Sequence, residues 1–242
     1  MTRRRWIADS WTDTTASLLG TQAEHLARVL RAQAGTEVDV VANGRVYNAV
    51  IETVIIEEVI FKLIAETAAD PALPVTLLLA IFKFDRMEWA IEKATELGVA
   101  TIVPIVARRT EKHLAQAADK RVERWRRLAH EAAKQSRRAD LPFIEDPIAL
   151  PARLQQNSDA QRILLAEDER DTTLRQRLEA ATNTNEVNLP TFEFAIGPEG
   201  GWTSEELSLF TKHNWQPASL GPRILRAETA AIASLAIASS IL

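Results

Sequence analysis

Two patterns of hydrophobic positions divide this chain of 242 residues. Near the N-terminus, β-branched and apolar residues gather in short runs at 36–41, 46–56 and 60–65. Asn43-Gly44 separates the first two runs. Both residues tolerate positive φ, so the pattern predicts a β-hairpin. A short helix is predicted over 25–31. The stretch 68–74 holds two prolines and no periodicity, and reads as a linker. The expected organisation is a small β-rich domain over 1–70 and a second domain over 71–242.

From Val75 onward the pattern alternates between strand and helix. Continuous apolar runs at 75–81 and 100–106 read as strands buried on both faces of a parallel sheet. Shorter strands are expected at 143–148, 162–166, 192–196 and 218–220. A helix over 85–97 carries an apolar stripe of Met87, Ala90, Ile91, Ala94 and Leu97. Asp85, with Glu88 three residues on, is its expected N-cap, and Gly98 its stop. Further helices are expected over 118–136 and 172–181. Thr203-Ser-Glu-Glu206 is a capping-box sequence opening the next helix, and a long Ala-rich helix closes the chain. Repeated strand–helix units with short connections predict an α/β fold, a mainly parallel sheet with helices on both faces.

Composition narrows the function. Hydrophobic residues make up 46% and charged residues 26%, as in ordinary globular proteins. There is no Cys, which excludes disulfides, thiolate catalysis and thiolate metal sites, and the His residues are scattered, so no metal site is expected. The N-terminus lacks the apolar core of a secretory signal, and the most apolar stretch, 227–242, is short and interrupted by Glu228, Thr229 and several Ser. A cytoplasmic protein is expected. The net charge of −4 hides a strong local asymmetry. Between Arg108 and Arg138 there are eleven Lys or Arg against four Asp or Glu. Arg3, Arg4 and Arg5 add a second basic knot. Such excesses suit phosphate partners, and the alternative reading is a solvated helix face with i,i+4 ion pairs.

Glycine is scarce, at eight residues, and half of it lies in two late stretches. These are Ile196-Gly-Pro-Glu-Gly-Gly-Trp-Thr203 and Leu220-Gly-Pro-Arg-Ile-Leu-Arg-Ala-Glu-Thr-Ala230. Each follows an expected strand and leads into a helix, which is where open α/β sheets bind ligands. Neither is a P-loop, since the Lys-Ser/Thr ending is missing, nor a dinucleotide fingerprint, since the spacing is wrong. That argues against a kinase or dehydrogenase. By itself the first stretch serves equally well as a tight turn without a ligand. For Arg226, in the second, a simple surface charge is the alternative reading.

Taken together, these stretches resemble the ribosomal small-subunit RNA uridine-N3 methyltransferases, members of the SPOUT class of S-adenosylmethionine-dependent enzymes. The resemblance extends to Lys93-Ala-Thr-Glu-Leu-Gly-Val99, Glu131-Ala-Ala-Lys-Gln-Ser-Arg-Arg138 and His25-Leu-Ala-Arg-Val-Leu-Arg31, in the family's order and over nearly the whole chain. One block departs from the pattern. Lys134 stands where the family often has an acid, and Arg137 where it often has Gly.

The resemblance implies a SPOUT-type parallel sheet whose C-terminal segment forms a trefoil knot, and an N-terminal PUA-like β-barrel that binds RNA. It implies a homodimer acting on 16S ribosomal RNA or the small subunit. S-adenosylmethionine would be held by Ala166, Glu167, Gly197, Pro198, Glu199, Gly200, Gly201, Leu220, Gly221, Ile224 and Leu225. RNA would meet Arg3, Arg4, Arg5, Arg108, Arg109, Gln135 and Arg138. A uracil N3–H must lose its proton before attack, so a cation near the uracil oxygens would stabilise the anion. Arg226 is the candidate for that role, and Glu199 the candidate to polarise the loop or hold the base, with a turn-forming surface acid as its alternative reading. A non-catalytic ribosome-assembly factor on the same fold is the competing reading.

Overall fold

A computed structural model of the protein describes residues 5–69, 71–136, 138–183 and 189–242. Arg3, Arg4, Arg137 and the linker residue Asp70 lie outside the described residues. The described residues form two compact units. One contains those up to Pro71 together with Ala133–Leu141; the other contains Ala72–Ala132 and Pro142–Leu242.

The first unit is a six-stranded sheet of β1 (Arg5–Ile7), β2 (Ser10–Trp11), β3 (Thr15–Leu19), β4 (Glu37–Ala42), β5 (Arg45–Val54) and β6 (Glu58–Thr67). The strand order is β1-β4-β5-β6-β3-β2. Asn43 and Gly44 take φ of 51° and 71° and close the β4–β5 hairpin, as the turn dipeptide predicts. The two outermost strands are consecutive in sequence. Between them, Ala8 N–H bonds Val41 O and Asp9 N–H bonds Ser17 O, so one continuous segment links the two ends of the sheet. Leu18, Val40, Ile51, Val59 and Phe61 fill its interior. Strands β1 and β2 escaped the sequence pattern because two or three residues are too few to show alternation, and the five-residue β3 (Thr15–Leu19) escaped it as well. The expected helix over 25–31 is the end of a longer turn. Gly20–Glu24 is α-helical (α1) and His25–Val29 is π-helical, with Leu30 N–H reaching His25 O at 3.1 Å.

The second unit contains β7 (Leu73–Ala80), α2 (Phe84–Glu96), β8 (Val99–Val106), α3 (Lys112–Ser136), β9 (Phe143–Ile144), β10 (Ile148–Ala149) and α4 (Leu150–Leu154). It continues with β11 (Gln161–Leu165), α5 (Leu174–Thr182), β12 (Phe192–Ile196), α6 (Ser204–Lys212), β13 (Gln216–Ala218) and α7 (Ala227–Ser239). The last turn of α3 falls in the first unit. The strand order is β10-β8-β7-β12-β11-β13, with β9 on β8, and every pairing is parallel. Strand periodicity splits the core into two layers. Val75, Leu77, Leu79, Phe192 and Phe194 face Met87, Ile91, Trp125, Leu178 and Leu235 of α2, α3, α5 and α7. Leu78, Val103, Ile105 and Ala195 face the opposite layer, with Leu150, Leu154, Phe210 and Trp215.

Several boundaries differ from the sequence pattern. Helix α2 begins at Phe84 with Lys83 as N-cap, and Asp85 lies inside the first turn without capping. Helix α3 starts at Lys112, well before residue 118, and Leu114 in its first turn is buried on the same core as Ala118, Val122 and Trp125. The run 143–148 is two strand fragments, since Glu145, Asp146 and Pro147 interrupt it. The strand expected at 218–220 lies at Gln216–Ala218. The capping box of α6 is present: Glu206 N–H bonds Thr203 Oγ1 at 3.3 Å, and Thr203 N–H bonds Glu206 Oε2 at 2.8 Å. Glu206 is buried and its second oxygen accepts Arg108 N–H at 2.8 Å, tying the segment after β8 to α6.

Candidate active site

Because β11, β12 and β13 run parallel, their C-terminal ends open on one sheet edge. The loops leaving them surround a cavity of about 610 Å³. Residues 165–168 form one wall, 196–202 a second and 219–221 with 223–226 a third, with Arg86, Arg109, Leu207, Ala227 and Ala230 completing the lining. The volume lies within the ordinary range for small-molecule and cofactor sites.

Glycine shapes this cavity in two ways. Gly201 and Gly221 take φ of +70° and +118°, which L side chains rarely adopt. Gly201 closes a tight turn, its N–H on Pro198 O at 2.8 Å. Ser219 holds the other turn: its Oγ accepts Gly221 N–H at 3.1 Å, and its hydroxyl donates to Gly221 O at 3.2 Å. Gly197 and Gly200 are needed for space. A Cβ at Gly197 would stand 3.1 Å from Trp202 Nε1, and one at Gly200 would stand 3.3 Å from Arg109 Cδ.

Charged side chains pin the loops. Arg86, on the first turn of α2, donates to Glu199. Its Nε also lies 3.9 Å from Glu228 Oε1, a carboxylate buried at the start of α7. The Arg109 guanidinium donates to Gly200 O. Glu169 accepts N–H groups from Asp171 and Thr172 at 2.7 and 3.0 Å. The Thr172 and Asp171 amides hold its carboxyl below the usual range. Trp202 packs edge-on against Phe210, with centroids 4.9 Å apart. Its indole N–H is buried without a hydrogen-bond partner among the described residues. A buried unpaired donor beside a cavity is costly unless a ligand acceptor completes it.

All eleven residues named from the sequence as cofactor candidates line this one cavity. So do Arg226 and Arg109. Arg226 is the N-cap of α7; its carbonyl accepts Ala230 N–H at 2.8 Å, and the residue is exposed. Arg108 is exposed on the segment after β8. Arg5 and Gln135 share a different cleft, in the first unit. The Arg138 side chain is 8% exposed and paired with Asp140, so its charge is engaged within the protein. Much of the basic segment is engaged too. Glu88 accepts two hydrogen bonds from Arg124 and one from Arg121, and Arg126 bonds Glu123, Asp146 and the Ile144 carbonyl. Sequence reasoning did not single out Arg86, Ser219, Glu228 or the Trp202 indole. A lone Arg on a helix face carries no motif, and only the close approach of α2 to the first glycine loop gives Arg86 its place.

An all-parallel α/β sheet with a glycine-built cleft across its strand ends, and no phosphate-cradling P-loop, is the architecture of a small-molecule-binding α/β enzyme. The profile of the RNA methyltransferase domain matches residues 69–239, and the chain belongs to this family. It is 34% identical over 233 residues to the ribosomal RNA small subunit methyltransferase E of Synechocystis, covering 95% of this chain and 74% of that protein. It is 31% identical over 232 residues to the enzyme of the same name from Bacillus subtilis, covering 93% and 90%. Among solved structures, it resembles a ribosomal RNA small subunit methyltransferase E from Neisseria gonorrhoeae bound to S-adenosylmethionine. The TM-score is 0.75, with 25% identity over 98% of this chain and 97% of that one. A Legionella pneumophila protein in complex with S-adenosylmethionine gives a TM-score of 0.74, with 27% identity over 99% and 98%.

Proposed function

We propose that this protein transfers a methyl group from S-adenosylmethionine to N3 of an unpaired uridine in 16S ribosomal RNA. The observation carrying this reading is the cavity enclosed by the loops after β11, β12 and β13, in a chain that aligns over 98% of its length with a cofactor-bound relative.

The residues present fit the cofactor. The cleft is built from backbone brought close by Gly197, Gly200, Gly201 and Gly221, which suits a flat purine bound through main-chain groups. The buried, unpaired Trp202 N–H is a donor awaiting an acceptor. Ala166, Glu167, Pro198, Glu199, Leu220, Ile224 and Leu225 supply the rest of the lining. When bound, S-adenosylmethionine supplies a methyl group on a positively charged sulfur. The protein's task is then positioning and charge stabilisation. Arg226, exposed, lining the cavity and not capping α7 through its side chain, would face an incoming uracil and stabilise its anion. Glu199, held by Arg86, sets the conformation of the first glycine loop.

The same reading takes the C-terminal segment as a trefoil knot. In support, the chain leaves β13 at the sheet edge, and α7 then packs back over β7 and β12 near the sheet centre, against α2 and α5. It takes residues 1–70 as a PUA-like RNA-binding domain, supported by the strand segment that joins the two ends of its sheet. RNA contacts fall to Arg5, Gln135, Arg108 and Arg109, and the enzyme acts as a homodimer.

The test is transfer of labelled methyl from S-adenosylmethionine to small ribosomal subunits from a strain lacking the activity, with the product nucleoside identified by mass spectrometry. Label in 3-methyluridine is the expected result. Label in another nucleoside overturns the substrate assignment. Cofactor binding with no label on any ribosomal RNA overturns the reaction.

A further inference from the structure

The first unit contains a cleft of about 540 Å³ that the methyl-transfer chemistry does not use. Three segments of that unit build it. Strand β1 supplies Arg5, Trp6 and Ile7; the α1–π turn supplies Thr21, Gln22, His25 and Leu30; and the end of α3 supplies Lys134 and Gln135.

Its chemistry is mixed in a particular way. Two cations, Arg5 and Lys134, stand with two amide side chains, Gln22 and Gln135, beside an apolar wall of Trp6, Ile7 and Leu30. Among the described residues, no carboxylate lines the cleft. Lys134 is paired with Asp9, which is not among the lining residues, at 3.5 Å. The Trp6 indole N–H is buried and has no hydrogen-bond partner among the described residues. The helical segment on one side is itself irregular. His25–Val29 is a π-turn, and Arg31, just after it, takes φ of 49°. π-turns cost helix geometry and recur where a side chain must be re-aimed at a ligand. Here the π-turn begins at His25, which lines the cleft.

Two cations, amides that both donate and accept, and an aromatic side chain together match one ligand class. That class is an unpaired nucleotide, with its phosphate on the cations, its base on the apolar wall and its base edge read by the amides. We propose that this cleft holds one unpaired nucleotide of the RNA strand, separate from the uridine that is methylated. The proposal rests on the methyltransferase reading. It makes the first unit an anchor that fixes the strand by one splayed base as well as by charge.

The substitutions Gln22→Ala and Gln135→Ala remove base-edge contacts on polar, accessible positions that fold readily without them. Lys134→Glu reverses a phosphate contact. Each is measured as the full-length protein in three ways: cofactor affinity by calorimetry, RNA affinity by filter binding at several salt concentrations, and methyl transfer over a range of RNA concentrations. The expected result is an RNA KM raised about tenfold for Lys134→Glu and several-fold for the amide variants, with cofactor affinity and kcat at saturating RNA unchanged. The salt slope of RNA binding should fall for Lys134→Glu alone. Unchanged RNA affinity in all three variants overturns the anchor. Equal loss from Lys134→Glu and none from the amide variants overturns the nucleotide and leaves a plain phosphate contact. Failure of the unaltered protein to methylate any ribosomal RNA is a different result, and it falls on the methyltransferase reading instead.

Discussion

Arg86 on α2 and Glu199 in the first glycine loop form an ion pair, and the same guanidinium lies 3.9 Å from Glu228 at the start of α7. One side chain therefore couples the loop after β12 to the helix that follows the loop after β13. The Arg86–Glu199 pair is about one-third exposed, so in isolation it would contribute little. Glu228 is only 6% exposed, and one of its oxygens already lacks a partner among the described residues. Arg86→Ala should therefore destabilise the protein by about 2 kcal/mol, mainly by leaving a buried carboxylate without its cation. Urea unfolding measures this. Adding Glu228→Gln should recover part of the loss, and Arg86→Lys should keep part of the cofactor affinity but not the fork geometry. An Arg86→Ala variant as stable as the parent would remove the coupling from the account.

Gly197 should tolerate no side chain. Its φ is unremarkable, so the limit is space: an added methyl would press on the Trp202 indole at 3.1 Å. Trp202 is backed by Phe210 and has little room to retreat. Gly197→Ala should weaken cofactor binding about tenfold or more, read by calorimetry. Gly200→Ala should cost less, because its neighbour at 3.3 Å is the flexible Arg109 side chain.

Arg226 should separate binding from turnover. The residue is exposed and no side-chain hydrogen bond caps α7 with it, so Arg226→Ala should change stability by less than about 0.5 kcal/mol. If it stabilises the uracil anion, kcat should fall by about two to three orders of magnitude with cofactor affinity intact. Full turnover in that variant would end its catalytic assignment.

The loop after β11 should weaken in acid. Glu169 has its pKa lowered from the ordinary value near 4.5 by the Thr172 and Asp171 amides. A depressed folded-state pKa means the contribution is fully present above the ordinary value and disappears as the pH falls through the lowered one. Cofactor affinity at this cavity should decline on that acidic side. Glu169→Gln should flatten the decline and reduce affinity modestly at neutral pH. A parent profile identical to that of Glu169→Gln would refute the link between this turn and the cavity.

Local sequence determined much of this protein. The Asn43-Gly44 turn, the capping box at Thr203, the apolar strands and the two glycine-rich loops follow from short-range rules of sterics and periodicity, and the structure contains each of them. The glycines were legible because a chain with eight of them places them where backbone conformation or close approach demands it. The tertiary structure decided what no local pattern encodes. It placed the three loops around one cavity, because parallel strands far apart in sequence bring their C-terminal ends to one edge. It set 133–141 with the first unit, although the helix containing its first residues begins in the second. It turned several cations of the basic segment to Glu88 and Asp146, and Arg138 to Asp140, so that part of the charge read as a partner surface is engaged in ion pairs within the protein. It also gave Arg86 and Glu228 their places at the cleft. Helix and strand formation depend on neighbours within a few residues, whereas ion pairs and cavities depend on which distant segments the packing brings within a few ångströms.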